Sequence, residues 1–150
     1  MSSRRRFLVI AHIFPLIALM LLAARISFAE GDLVLVVHAN NKEDPGVSEA
    51  KKLFLGDTSF WPGNIPVKLF VRPADSPASE AFFRAIQIAP ARFKRLWQEK
   101  QLSGQGNAPE QVGAAAALLA RVAADPGAVG FALSDELPAA PAGVRIIALH

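Results

Sequence analysis

Lys52 to Ile86 reads KLFLGDTSFWPGNIPVKLFVRPADSPASEAFFRAI, and the fold follows from its second half. Val67 to Val71 is a short apolar run that ends on Arg72, and Arg72-Pro-Ala-Asp-Ser-Pro-Ala-Ser79 is loop chemistry. Ser76 then fits the N-cap and Pro77 the first position of a helix with Phe82, Phe83 and Ile86 on one side. A strand feeding a helix through a tight loop is the repeating unit of an α/β sheet. The first turn of a helix presents unpaired N–H groups and a partial positive charge. Arg72, with the hydroxyls of Ser76 and Ser79 beside it, is therefore the candidate seat for a small oxyanion. The same residues have plainer uses: Arg72 can pair with Asp75 or Glu80 at the surface, and Ser76 can be a cap alone.

Upstream, Leu33 to His38 is uniformly apolar and runs into dense turn chemistry at Ala39 to Gly46, which predicts a strand covered on both faces. Ser48 to Leu55 predicts a helix, with Ser48 as N-cap and Gly56 at the C-terminal cap. Asp57 to Pro66 reads as irregular around a Trp61-Pro-Gly-Asn64 turn, with Phe60 and Trp61 closing over the core.

Downstream, a helix from Pro90 turns Phe93, Leu96 and Trp97 inward and Arg92, Lys94, Arg95 and Lys100 to solvent. Gly104 to Pro109 breaks it, and Gly-x-Gly without a third glycine is weak evidence for a phosphate loop. Glu110 to Ala124 predicts an alanine-rich helix with Val112, Ala115, Leu119 and Val122 on its apolar stripe. Ala128 to Leu133 and Val144 to Leu149 predict two closing strands. The order β, α, β, α, α, α, β, β predicts a three-layer αβα sandwich with ligand-bearing loops at its strand ends.

Of the 150 residues, 1–29 read as an export signal. Arg4, Arg5 and Arg6 precede an apolar Phe7 to Ala24, and Ser27-Phe-Ala29 supplies small residues for cleavage after Ala29, leaving 30–150 as the domain. An uncleaved anchor is the alternative, since Phe7 to Ala24 is just long enough to span a bilayer. Arg4-Arg5-Arg6-Phe7-Leu8 resembles the twin-arginine signal, but the strongly apolar stretch favours the general secretory route to the periplasm or the outside. Cleavage takes Lys+Arg from 16 to 12 against 13 Asp+Glu, so the basic balance resides in the signal and no nucleic-acid footprint is left. With no cysteine, and only His38 and His150 left among the histidines, neither a metal centre nor a bound cofactor is expected.

Taken together, several elements resemble the phosphate-binding components of ABC phosphate importers. They are Leu53-Phe-Leu-Gly56, Trp61-Pro62, the strand entering Arg72 with Ser76 and Phe82 following, Trp97, Gly104-x-Gly106 and Asp125-Pro-Gly-Ala-Val-Gly-Phe131. The resemblance implies a type II periplasmic-binding-protein fold, of which this chain has the length of a single lobe. It implies an exported, non-catalytic substrate-binding protein that takes phosphate or a similar oxyanion on Arg72 and Ser76, with Ser79 as a partial third donor. An ABC permease or another envelope protein would be its partner, and a homodimer is one way to complete the site. The chain departs from the family pattern at Pro77, where a glycine is expected, and at Ala78, where a threonine is expected. Those departures, with the missing second lobe, support an alternative: an envelope interaction or sensor module that keeps the fold without the ligand. Catalysis is not expected, because Ser76 and Ser79 have no adjacent base and no nucleophile elbow is present.

Overall fold

The computed structural model describes residues 31–138 and 141–150, so the signal reading at 1–29 lies outside the described residues. The elements are β1 (Leu33–His38), α1 (Val47–Phe54), β2 (Phe60–Trp61), β3 (Ile65–Pro66), β4 (Lys68–Val71), α2 (Pro77–Ile86), α3 (Pro90–Leu102), β5 (Glu110–Gln111), α4 (Ala115–Ala124), β6 (Ala128–Leu133) and β7 (Val144–Ala148). A short 3-10 turn, Ser134–Glu136, follows β6. Among the described residues no helix is long and apolar enough to cross a membrane.

One sheet, ordered β5-β4-β6-β1-β7, carries the domain. β4 runs parallel to β5 and β6, whereas β1 is antiparallel to both β6 and β7, so the sheet is mixed. The continuous apolarity of β1 has the expected cause, since alternate residues point to opposite, equally covered faces. Leu35 and Val37 join one core with α1, α2 and α3; Val34 and Val36 join a second with α4. Helix layers on both sides of the sheet confirm the three-layer α/β reading.

The larger core is aromatic. Phe82 of α2 is fully buried, stacks on Phe131 of β6 with ring centroids 4.1 Å apart, and meets Phe54 of α1 edge-on at 4.7 Å. These contacts fix α2, and with it the loop from Arg72, against the carboxyl half of β6.

Three local expectations are corrected. Ser48 does not cap α1; Gly46 holds that position without a side-chain bond. Asp57 to Pro66 is not irregular but holds the β2–β3 hairpin, turned by Gly63 and Asn64 at φ 86° and 60°. Trp61 is buried there, its indole N–H donating to Gly127 O at 3.0 Å, while Phe60 faces solvent. A methyl group added at Gly127 would lie 1.9 Å from Pro66 O, so only glycine admits this close approach.

The third correction concerns Glu110 to Ala114, which is extended rather than helical: Glu110–Gln111 forms β5, and Val112 N–H donates to Val71 O at 2.8 Å. The open edge of β4 needs backbone partners, and that demand outweighs the helix propensity of the segment. α4 accordingly buries Leu118 and Val122; of the predicted stripe Val112 and Val122 are buried, while Ala115 and Leu119 are only partly so.

Candidate functional site

β4 ends at Val71, and the next five residues, Arg72 to Ser76, lead into α2. Ser76 caps this helix in extended conformation, its Oγ accepting from Ser79 N–H at 3.2 Å, with Pro77 in the first turn. Ser79 is fully buried and turns its own hydroxyl back to Arg72 O at 3.0 Å. The two serines thus lock the strand end to the helix start. Both plainer uses of these residues are therefore present in part: Ser76 is a cap, and Arg72 has an ion-pair partner.

That partner is neither Asp75 nor Glu80. Arg72 is buried and reaches Glu136 in the 3-10 turn after β6, with Nη1 and Nη2 each 3.2 Å from a different carboxylate oxygen. Nη2 also donates to Gly113 O at 3.3 Å. Glu136 in turn accepts from Leu133 N–H at 2.9 Å, which fixes the carboxylate before it meets the arginine. Glu80 is engaged elsewhere, by Arg84 on the exposed face of α2. β4 and β6 are parallel, so Arg72 and Glu136 both lie just past strand carboxyl ends, where open α/β sheets carry their ligands.

Among the described residues two donors at this junction lack a partner. Arg72 Nε is buried without a hydrogen bond, although the guanidinium has five N–H bonds to place. In the first turn of α2, Pro77 has no N–H, Ser79 N–H goes to Ser76 Oγ, and Glu80 N–H goes to Ser76 O. That leaves the N–H of buried Ala78, which has no partner among the described residues. Buried donors are normally satisfied, so their pairing at one junction is informative. Chemically the junction offers a guanidinium, a backbone N–H and a helix N-terminus, all suited to an anion and none to nucleophilic or acid–base work.

All three predicted site residues therefore converge on one junction. Glu136 and Gly113 were missed: nothing in Ser134-Asp-Glu-Leu137 singles out Glu136 over Asp135 without the β4–β6 pairing. His38 stands apart, its Nδ1 accepting from Asn40 N–H at 3.1 Å. A cleft of about 1050 Å³ opens at the other end of the parallel strands, between Asn64, Lys68, Trp97, Asn107 and Gly127. Arg72, Ser76 and Ser79 do not line it. That cleft carries charge of its own in Lys68, Glu110 and Asp125, whereas the orphaned Arg72 Nε lies at the Arg72 junction.

No family model matches the sequence, and no curated protein matches it. Solved structures do. An ABC-type phosphate transport receptor from Vibrio cholerae superposes with a TM-score of 0.60 at 16% identity, covering 81% of this chain and 47% of the receptor. A chain described as a phosphate ABC transporter substrate-binding protein from Clostridium perfringens, solved with bound phosphate, gives 0.63 at 13% identity, covering 81% and 46%. PstS from Borrelia burgdorferi gives 0.57 at 11% identity, covering 81% and 48%. The chain thus has the fold of phosphate ABC transporter substrate-binding proteins and spans under half of their length.

Proposed function

We propose that this chain is a one-lobe binding protein of the phosphate-transport type, exported, which takes phosphate or a similar oxyanion at the start of α2 without converting it. The observation that carries the reading is the pair of orphaned donors, Arg72 Nε and Ala78 N–H, at a helix N-terminus in a fold shared with phosphate transport receptors. Arg72 is the anchor, Ser76 holds the helix start in place, and Ser79 holds the backbone of Arg72. In this reading the serines position the seat more than they touch the ligand, because both hydroxyls are already engaged. Glu136 occupies the guanidinium until an anion displaces it. A permease or another envelope protein would receive the loaded lobe and shield its open side, since a half-solvated anion is weakly held.

Calorimetry of the purified protein against phosphate and sulfate tests the reading. The expected result is weak, saturable heat at millimolar anion that Arg72→Ala abolishes; no heat with either anion would sink it. For export, the expected N-terminus of the protein recovered from the envelope is Glu30, and an intact Met1 would show retention of the leader as an anchor.

A second reading has its own support. Glu136 meets Arg72 through both carboxylate oxygens, the geometry an oxyanion would use, so the protein can carry its anion mimic permanently and serve as a ligand-free interaction or sensor module. The two readings separate on removal of Glu136, as argued below.

A further inference from the structure

Among the described residues β7 lies at one border of the sheet and pairs only with β1. The register decides which of its backbone groups are used. Ala39 N–H donates to Gly143 O and Leu149 N–H to Leu33 O, so the odd-numbered residues of this stretch exchange bonds with β1. The N–H and C=O groups of Val144, Ile146 and Ala148 therefore point outward, and no hydrogen bond among the described residues takes them. Edge strands are ordinarily blunted by lysine, proline, a bulge or a covering segment. β7, VRIIA, has one charge, and the Arg145 guanidinium is already bound to Asn41 O and Glu43 O at 3.0 Å each and to the Asp44 carboxylate. Ile146 remains 39% exposed.

We propose that β7 pairs antiparallel with β7 of a second copy of this chain, about a two-fold axis through Ile146. The free groups are centred on that residue, so one symmetric pairing satisfies all of them: Val144 faces Ala148 of the second copy, and Ile146 faces its own counterpart. Small alanine opposite valine leaves room at each end. On the other face, Ile147 lies opposite the second copy's Arg145, whose charge its own Asp44 already neutralises. A strongly charged partner strand would find no complement on this edge, which is why a second copy is the occupant the chemistry favours.

The two sheets would run on as one, with β4 and its copy seven strand spacings apart, about 34 Å at ~4.8 Å each. This contact therefore does not close the oxyanion seat, and it neither requires nor reports on anion binding. Two short strands make a small interface, so the dimer is reversible and concentration-dependent.

Analytical ultracentrifugation of the purified protein, without added anion, should show a monomer–dimer equilibrium, with Ile146→Lys raising the dissociation constant at least tenfold by setting like charges across the axis. Because the chain has no cysteine, single-cysteine variants give a second readout that does not depend on tolerance of lysine. Ile146→Cys should oxidise to a disulfide-linked dimer much faster than Leu102→Cys, whose site is 89% exposed at the end of α3. A wild-type protein that stays monomeric to millimolar concentration, or equal cross-linking at both positions, would overturn the proposal.

Discussion

Replacing Glu136 by alanine is expected to cost about 2–4 kcal/mol of folding stability and to make the protein responsive to phosphate. The side chain of Arg72 is 5% exposed and that of Glu136 27%, so the substitution strands a charge in a nearly dry place. Removing one partner of a fully buried pair costs about 3–5 kcal/mol, and the partial exposure of Glu136 trims that figure. Leu133 N–H loses its acceptor as well, which adds to the cost. For a domain of this size the loss corresponds to a fall in melting temperature of roughly 8–15 °C. A phosphate or sulfate ion that takes the vacated place restores the charge balance, and at a hundredfold excess over its dissociation constant it returns about 2.7 kcal/mol. Thermal melts of Glu136→Ala with and without phosphate check both arms. An anion-dependent recovery supports the binding reading; a loss that neither anion repairs supports the ligand-free module.

The second large effect is expected in the aromatic core. Phe82→Ala should cost about 3–5 kcal/mol, because it deletes a fully buried ring that stacks on Phe131 and meets Phe54 edge-on. Small domains hold only about 5–15 kcal/mol in total, so this variant loses much of its margin. Urea denaturation measures the shift, and Phe60→Ala is the control: Phe60 is 53% exposed, and its loss should be worth well under 1 kcal/mol. Equal midpoints for the two variants would contradict the packing account. The core matters for the site because Phe82 lies three residues after Ser79, and its stacking holds the first turn of α2 beside Arg72.

Much of this arrangement was legible in the sequence because it is local. The cap at Ser76, the proline after it and the spacing of Phe82, Phe83 and Ile86 are properties of consecutive residues, and the structure keeps them. What could not be read is what depends on strand pairing. Glu110–Gln111 looks helical until the open edge of β4 requires a partner, and the β2–β3 hairpin is too short for alternation to reveal it. Glu136 is the clearest case: it meets Arg72 across 64 residues only because β4 and β6 lie side by side. Fold and candidate seat were therefore visible as separate pieces, while the Arg72–Glu136 ion pair is a product of topology.

The central claim is that Arg72 is an oxyanion anchor held by Glu136, and phosphate calorimetry of Glu136→Ala beside the wild type tests it most directly. The account predicts binding at least tenfold tighter in Glu136→Ala, about 1.4 kcal/mol or more, and loss of that binding when Arg72→Ala is added to the same protein. Affinity unchanged by removal of Glu136, or binding that survives the loss of Arg72, would contradict it.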